Sequence, residues 1–327
     1  MFSGVTRDDA YKTRLVGFVR DEYGIRGDVV SPAARGFFGE TWRLDAGSTG
    51  YFVKVVDHAA SQRAAYERSF AVLDRLESRG IDFVPHVVGA ADGRLFTRFD
   101  GAVVGVFDWI DAVNTESDDT KIPEYAMMAR VFTADVTGLD IPREDFAGAA
   151  ADRVFGHWRR LAAAEGDAKA SHACAVLEHH RAEIEPWAQR LHDFAARCAP
   201  DRSGFFLTHG DAGGNFMTAA DGRYYIVDWD DPLLAPPERD AWVMCPREWA
   251  RAAFTDALRR EGIDYELRPE RLAYYIYHMF FLYLSELLEA LSVDGPQRPL
   301  EEFFDGFIRE RLEYADTHFS PGWTLSS

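Results

Sequence analysis

Cysteine is scarce in this chain of 327 residues, which contains only Cys174, Cys198 and Cys245. The three are widely spaced and form no Cys-x-x-Cys or Cys/His pattern, which argues against a disulfide framework and against a zinc site. We therefore expect free thiols in a reducing, cytoplasmic compartment. The first residues also lack the basic and apolar regions of a secretory signal. The apolar stretch at residues 272–291 contains two glutamates, so it is predicted to be a core helix and not a membrane span.

Runs of basic residues are missing as well, and the formal net charge at pH 7 is −18. This charge argues against nucleic acid and anionic membranes as partners, and it permits a small cationic substrate. Many proteins are nevertheless acidic for solubility alone. A hydrophobic content of 47% over this length is enough for two lobes with an ordinary core. We expect a monomer or a homodimer.

Lysine is rare beside 32 arginines, and its four positions are Lys12, Lys54, Lys121 and Lys169. Lys54 nevertheless lies inside an apolar strand pattern, residues 51–56, which forms a predicted hairpin with residues 41–44. A compact ammonium at that place suits pairing with nucleotide phosphates and with a partner carboxylate. The alternative is a lysine at a strand edge whose stem covers apolar surface.

A phosphate-binding loop of the Walker A type is absent. The glycines within residues 35–41, just before the hairpin, could bring backbone amides close to phosphates, although an ordinary turn explains that segment equally well. Helical spacing predicts a helix over residues 61–79, and short strands follow up to residue 109. Helices dominate after residue 121, including one predicted over residues 171–198.

The chemistry-bearing residues concentrate in the stretch at residues 208–231. A polar loop with Asp211 and Asn215 precedes an apolar strand that ends at Asp228, and an Asp-Gly turn predicts that the two halves form a hairpin. Asp211 could accept a proton from a hydroxyl, while Asn215 and Asp228 offer the oxygen ligands that Mg²⁺ prefers. The alternative is a polar hairpin whose side chains only satisfy turn backbone.

These motifs resemble the aminoglycoside phosphotransferase family, which comprises small-molecule kinases related to the protein kinases. The likeness rests on the His-Gly-Asp loop with its asparagine, on Val-Asp-Trp-Asp-Asp and on the segment 235–240. The run at residues 226–240 is especially similar to the spectinomycin phosphotransferase branch. The resemblance implies an α+β, two-lobed fold of the protein-kinase type. Residues 1–110 would form a nucleotide-binding lobe with an antiparallel sheet and one helix, and residues 111–327 a helical lobe with the catalytic loop and substrate cleft.

The family resemblance also implies roles for the nucleotide-binding residues. Lys54 would contact the α- and β-phosphates, and Glu67 on the predicted helix would hold it, with Glu77 as the second choice. Residues 107–111 resemble the family's hinge, in which backbone groups of Asp108 and Ile110 would bind adenine or guanine.

The same resemblance implies phosphoryl transfer from ATP or GTP to a hydroxyl of a small molecule. Asn215 and Asp228 would hold Mg²⁺, and Asp211 would take the hydroxyl proton. His209 would brace the loop, and Asp240 would support it as a buried structural acid. The expected product is a phosphorylated antibiotic, hence resistance.

One departure from the kinase pattern lies in the catalytic loop, where Asn215 follows Asp211 by four residues and not by five. Gly213 and Gly214 could absorb the shorter path by adopting positive φ angles. Three functions stay open: an antibiotic kinase, a metabolic kinase for a sugar, choline or homoserine-like substrate, and a pseudokinase that binds ligand without turnover, and the short loop favours only the pseudokinase.

Overall fold

The computed structural model describes residues 7–33, 39–57, 60–114, 118–164, 166–291 and 300–319. Most of the glycine-containing segment at residues 35–41 lies outside these described residues. The chain divides into two compact units. The first comprises residues 1–143, 206–235 and 252–264, and the second comprises residues 144–205, 236–251 and 265–327. The lobe boundary at residue 110 stays a prediction.

The described residues form helices and strands in the order expected for an α+β chain. The helices are α1 (Asp9–Tyr23), α2 (Ala60–Ser78), α3 (Asp118–Phe132), α4 (Ala149–Ala162), α5 (Ala168–His179), α6 (Arg181–Cys198), α7 (Glu238–Met244), α8 (Glu248–Arg260), α9 (Pro269–Ala290), α10 (Leu300–Phe304) and α11 (Phe307–His318). The strands are β1 (Val29–Pro32), β2 (Glu40–Ala46), β3 (Thr49–Val56), β4 (Thr97–Phe99), β5 (Ala102–Asp108), β6 (Ala112–Asn114), β7 (Phe206–Thr208), β8 (Phe216–Ala219), β9 (Tyr224–Ile226) and β10 (Leu233–Ala235).

An antiparallel five-stranded sheet in the order β1-β2-β3-β5-β4 dominates the first unit. Strand β3 lies at its centre, and the register pairs Lys54 with Thr41 on one side and with Gly105 on the other. The antiparallel N-terminal sheet, the hairpin at residues 41–56 and the helix predicted over residues 61–79 are thus confirmed. The helix predicted over residues 171–198 is instead two helices, because α5 ends at His179 and α6 starts at Arg181.

One face of this sheet packs against α1. Leu15 and Val19 of the helix share a buried cluster with Val53 and Val55 of β3, and all four are at most 4% exposed. Burying each such side chain contributes roughly 1.5–3 kcal/mol. Because successive strand residues point to opposite faces, this burial directs Lys54 to the other face.

Helix α2 packs against that other face so closely that β5 needs a glycine there. A Cβ atom at Gly105 would lie 2.3 Å from the ring of Phe70 and 2.9 Å from the Tyr66 hydroxyl oxygen. Phe70 is fully buried and stacks on Phe107, with 5.6 Å between ring centroids. Gly105 therefore sets the distance between α2 and the strand beside Lys54.

The second unit is helical, and α9 contains its main aromatic core. Tyr275 of this helix donates a hydrogen bond of 3.0 Å to the buried Glu144 carboxylate. Asp240, the predicted structural acid, is fully buried in α7. Among the helices that the structure describes, none combines the length and the apolarity that a bilayer crossing requires.

A buried carboxyl group, that of Glu238, lies at the start of α7. It accepts hydrogen bonds from the Tyr265 hydroxyl at 2.9 Å and from the Arg268 amide at 2.5 Å. Burial outweighs these bonds and raises the pKa of Glu238 to about 7, against an ordinary value of 4.5. The folded state therefore favours the protonated acid below about pH 7.

We expect Gly105→Ala to lower the free energy of unfolding by about 1–3 kcal/mol, because the added methyl group must displace α2. Gly89→Ala is the matched control, since its nearest atom would be a backbone oxygen 3.9 Å away. Urea denaturation measures both variants. Equal stability of Gly105→Ala and wild type would contradict the close packing of α2.

Glu238 predicts a fall in stability as pH rises from about 4.5 to 7. Across this range the unfolded state loses the Glu238 proton while the folded state keeps it, and the full shift corresponds to about 3 kcal/mol. Glu238→Gln should therefore remove that part of the decline when free energies of unfolding are compared with wild type over this pH range. Parallel profiles of the two proteins would show that Glu238 ionises normally.

Candidate functional site

The seven residues predicted for catalysis, nucleotide binding and metal binding all belong to the first unit. Their surroundings can therefore be described within one compact body. The predicted set is Lys54, Glu67, Asp108, Ile110, Asp211, Asn215 and Asp228.

Strands β8 and β9 form the predicted hairpin and position three of these residues at its ends. Phe216 pairs with Ile226, and the connecting turn contains Gly222 at φ 84°. Beyond the paired strands, the Val227 amide donates a hydrogen bond of 2.9 Å to the Asn215 carbonyl. This bond holds the backbone of Asn215 next to the residue that precedes Asp228.

His209 connects the loop at residues 209–215 with the same strand end. Its Nδ1 accepts a 3.2 Å hydrogen bond from the Asp211 amide, so its Nε2 is the atom that donates to the Val227 carbonyl, at 2.9 Å. The two bonds assign the proton to Nε2. His209 is 3% exposed, and its ring contacts Trp229 with 4.7 Å between centroids. These contacts brace the loop that carries Asp211.

The short path from Asp211 to Asn215 is a 3-10 turn at Ala212–Gly214. Neither Gly213 nor Gly214 has a positive φ angle, so the expectation that these glycines absorb the shorter loop in that way is wrong. A 3-10 turn has negative φ angles and covers the distance by itself, while Gly210 before it has φ 94°.

Asn215 uses its side-chain nitrogen within the loop. Nδ2 donates to the Asp211 carbonyl at 2.6 Å and lies 3.4 Å from the Asp211 carboxylate. The amide oxygen Oδ1 is therefore the atom left for a ligand. Asp211 itself is exposed.

Asp228 has a left-handed backbone with φ 66°, which costs roughly 1–2 kcal/mol in a residue other than glycine. The neighbouring Trp229 stabilises this conformation, since its ring is 2% exposed and its Nε1 donates to the Ile226 carbonyl at 3.0 Å. With Trp229 directed into the core, Asp228 and Asp230 both reach Lys54.

Lys54, which is itself buried, forms ion pairs with these two aspartates, whose side chains are 36% and 26% exposed. Its ammonium lies 2.9 Å from Asp228 and 2.5 Å from Asp230, and its side chain is 6% exposed. Burial acts to lower the pKa of Lys54, but the two carboxylates outweigh it and raise that pKa. Burial together with the Asp228 charge raises the pKa of Asp230 to about 6, whereas Lys54 overcomes burial at Asp228 and lowers its pKa.

The predicted pair of Lys54 and Glu67 is not among the contacts of the described residues, and this prediction is corrected. Glu67 instead forms an ion pair with Arg98. The α2 residue that faces Lys54 is Tyr66, whose ring centroid is 5.4 Å from the ammonium. Glu77, the second choice, binds His86 at 2.7 Å.

The predicted hinge lines one wall of a cleft of about 470 Å³. Residues 108–111 face the tip of the β8–β9 hairpin across it, and Lys54, Asp211 and Asp228 do not line it. The Asp108 amide donates to the His86 carbonyl at 3.2 Å, which leaves only its carbonyl as a possible base contact. Within the described part of the chain, the Ile110 amide has no hydrogen-bond partner.

The residues around Lys54 fit a magnesium ion bound together with phosphates. Asn215 Oδ1 and Asp228 offer the oxygen donors that such an ion would need, since Mg²⁺ in such sites takes only one or two carboxylates beside the phosphate oxygens. The Tyr66 hydroxyl is buried and has no partner among the described residues, so it is a spare donor beside the same cluster. The pairing of Asp230 with Lys54 was not predicted from the sequence, although the Asp-x-Asp pattern at residues 228–230 could have indicated it.

Solved structures with a similar fold come from several small-molecule kinases. Spectinomycin phosphotransferase APH(9)-Ia in complex with ADP and spectinomycin has a TM-score of 0.71 at 17% identity, with 94% of each chain covered. The microcompartment-associated aminopropanol kinase has a TM-score of 0.62 at 15% identity, and choline kinase LicA from Streptococcus pneumoniae 0.60 at 13%. Both cover 94% of this chain and 98% of their own.

The same fold in these structures confirms the predicted α+β architecture, with an antiparallel N-terminal sheet and a helical C-terminal region. A comparison with curated protein sequences finds no match. The model of the phosphotransferase enzyme family APH matches residues 29–275, which include every residue of the site described above. On this match over most of its length, the chain belongs to that phosphotransferase family.

Proposed function

We propose that this protein is a Mg²⁺-dependent kinase that transfers the γ-phosphate of ATP or GTP to a hydroxyl of a small antibiotic. The substrate class is an aminoglycoside, an aminocyclitol or a similar natural product, and its modification confers resistance. The observation that carries this proposal is the cluster itself: one buried lysine, two carboxylates, an asparagine amide oxygen and an exposed aspartate adjoin the ends of a single hairpin.

Each residue of the cluster has a separate task in this proposal. Lys54 binds phosphate oxygens of the nucleotide, and the backbone of Asp108 and Ile110 contacts the base. Asn215 and Asp228 hold Mg²⁺, which when bound neutralises charge that develops on the phosphoryl oxygens. Asp211 orients the attacking hydroxyl and accepts its proton, while His209 fixes the Asp211 backbone through Nδ1.

A metabolic kinase is the second candidate function. Two of the similar folds belong to a choline kinase and an aminopropanol kinase, whose substrates are small amino alcohols. The net charge of −18 suits a cationic substrate in either case. The spectinomycin phosphotransferase has the higher TM-score, which supports the antibiotic substrate. A pseudokinase is less well supported, since the shorter loop still places Asn215 beside Val227.

A coupled nucleotide-turnover assay tests the proposed function directly. We expect turnover of ATP or GTP with at least one member of a panel of aminocyclitol and aminoglycoside antibiotics, measured with Mg²⁺ and with EDTA. Choline, aminopropanol, homoserine and simple sugars form the second panel. Turnover with the second panel alone would identify a metabolic kinase, and absence of nucleotide binding would reject the kinase function.

Asp211→Asn should reduce kcat by about 10²–10⁴-fold, because the amide cannot accept the hydroxyl proton. Binding of the Mg-nucleotide should change little, since Asp211 is not among its proposed ligands. Asp92→Asn is the matched control, because Asp92 is an exposed acid paired with Arg94 in a surface turn. A near-normal kcat for Asp211→Asn would show that another group is the base.

A further inference from the structure

The buried lysine of this site has a different counter-charge from the one its sequence suggests. Lys54 is almost entirely buried, and the carboxylates that touch it come from Asp228 and Asp230. Glu67 is turned to Arg98 on β4. The lysine is therefore bound from the end of the β8–β9 hairpin and not from a carboxylate on α2.

The rotation of α2 explains why Glu67 does not reach the lysine. Neighbouring residues on a helix point about 100° apart, so only one of Tyr66 and Glu67 can face Lys54. Tyr66 does so, with its ring 5.4 Å from the ammonium, and it packs against Gly105 in the strand paired with Lys54. An aromatic face attracts a cation but supplies no negative charge.

Nucleotide binding would affect the two aspartates differently. Asp228 is the proposed metal ligand, and its carboxylate would then be shared between Mg²⁺ and Lys54. The buried ammonium needs a counter-charge while no nucleotide is bound, since an unpaired buried charge is strongly unfavourable, and it needs a fixed partner if it is to stay directed at the phosphates. Asp230 is the remaining carboxylate, and it is already hydrogen-bonded to Lys54.

We propose that Asp230 is the residue that positions Lys54 for the nucleotide phosphates. It takes the role for which the sequence suggested a carboxylate on α2. Asp230 thus acts through Lys54 and does not itself contact the transferred group. This inference rests on the proposed kinase function, because the role given to Lys54 is to meet nucleotide phosphates. The contact between Asp230 and Lys54 can nevertheless be tested without any nucleotide.

The first experiment measures the reactivity of Lys54 in the nucleotide-free protein. Only four lysines occur, so trace acylation followed by mass spectrometry resolves each of them, with the exposed Lys169 as internal reference. Asp230→Asn removes the counter-charge and should raise the labelling rate of Lys54 relative to Lys169 by about tenfold, the factor for one lost charge-assisted hydrogen bond.

The comparison variants make this experiment decisive. Glu67→Gln and the surface control Asp92→Asn should leave Lys54 labelling within about twofold of wild type. A rise for Glu67→Gln as large as that for Asp230→Asn would overturn the proposal, and so would unchanged labelling in Asp230→Asn. Thermal melting confirms that each variant is folded. If Asp230→Asn does not fold, Glu67→Gln still decides whether α2 holds the lysine.

The second experiment uses nucleotide binding to separate positioning from metal ligation. Asp230→Asn should weaken binding of ADP in EDTA by about tenfold, because the lysine that meets the phosphates is displaced. The Mg²⁺ concentration for half-maximal binding of the Mg-nucleotide should stay within about twofold of wild type. A raised Mg²⁺ requirement with unchanged binding in EDTA would make Asp230 a metal ligand and refute the positioning role. Failure of wild type to bind nucleotide would reject the kinase function but leave the labelling result intact.

Discussion

The structure depends on keeping one ammonium group charged although its side chain is almost entirely buried. Lys54 lies at the centre of a five-stranded sheet, and desolvation alone would cost several kcal/mol without a partner charge. Two carboxylates offset that cost, and they can reach the lysine only because the chain turns sharply after β9. The positive φ at Asp228 and the burial of Trp229 are parts of that turn. The strained backbone at Asp228 is thus held by the burial of Trp229 in the core and by the ion pair between Asp228 and Lys54.

The backbone of Val227 joins the parts that the chemistry needs. Its amide donates a hydrogen bond to the Asn215 carbonyl, and its carbonyl accepts one from His209 Nε2. His209 Nδ1 in turn accepts a hydrogen bond from the Asp211 amide. The loop at residues 209–215 and the end of β9 are therefore both fixed to the backbone of one residue. These hydrogen bonds explain how a loop one residue shorter than the kinase pattern still holds Asp211 and Asn215 next to the end of β9.

The sequence predicted what depends on local pattern. The β8–β9 hairpin, helix α2 and the buried Lys54 strand follow from turn residues, helical spacing and strand alternation. The partner of Lys54 was not predictable in the same way, because a helix rotated by one residue exchanges Glu67 for Tyr66, and that rotation depends on tertiary packing such as the close approach of α2 to Gly105. The break at His180 was missed for a related reason: apolar spacing continues through α5 and α6, and spacing alone does not show where two helices meet.

Because Asp230 and not a carboxylate on α2 pairs with Lys54, a movement of α2 has a different effect on this site. Where a helix supplies the carboxylate, a shift of that helix releases the lysine and switches nucleotide binding. Here Asp230 lies two residues from Asp228 on the same strand end, so lysine anchor and proposed metal ligand move together. Helix α2 contributes the ring of Tyr66, whose attraction for a cation is weaker and less directional than an ion pair. A displacement of α2 would then loosen the packing at Gly105 without removing the charge that holds Lys54.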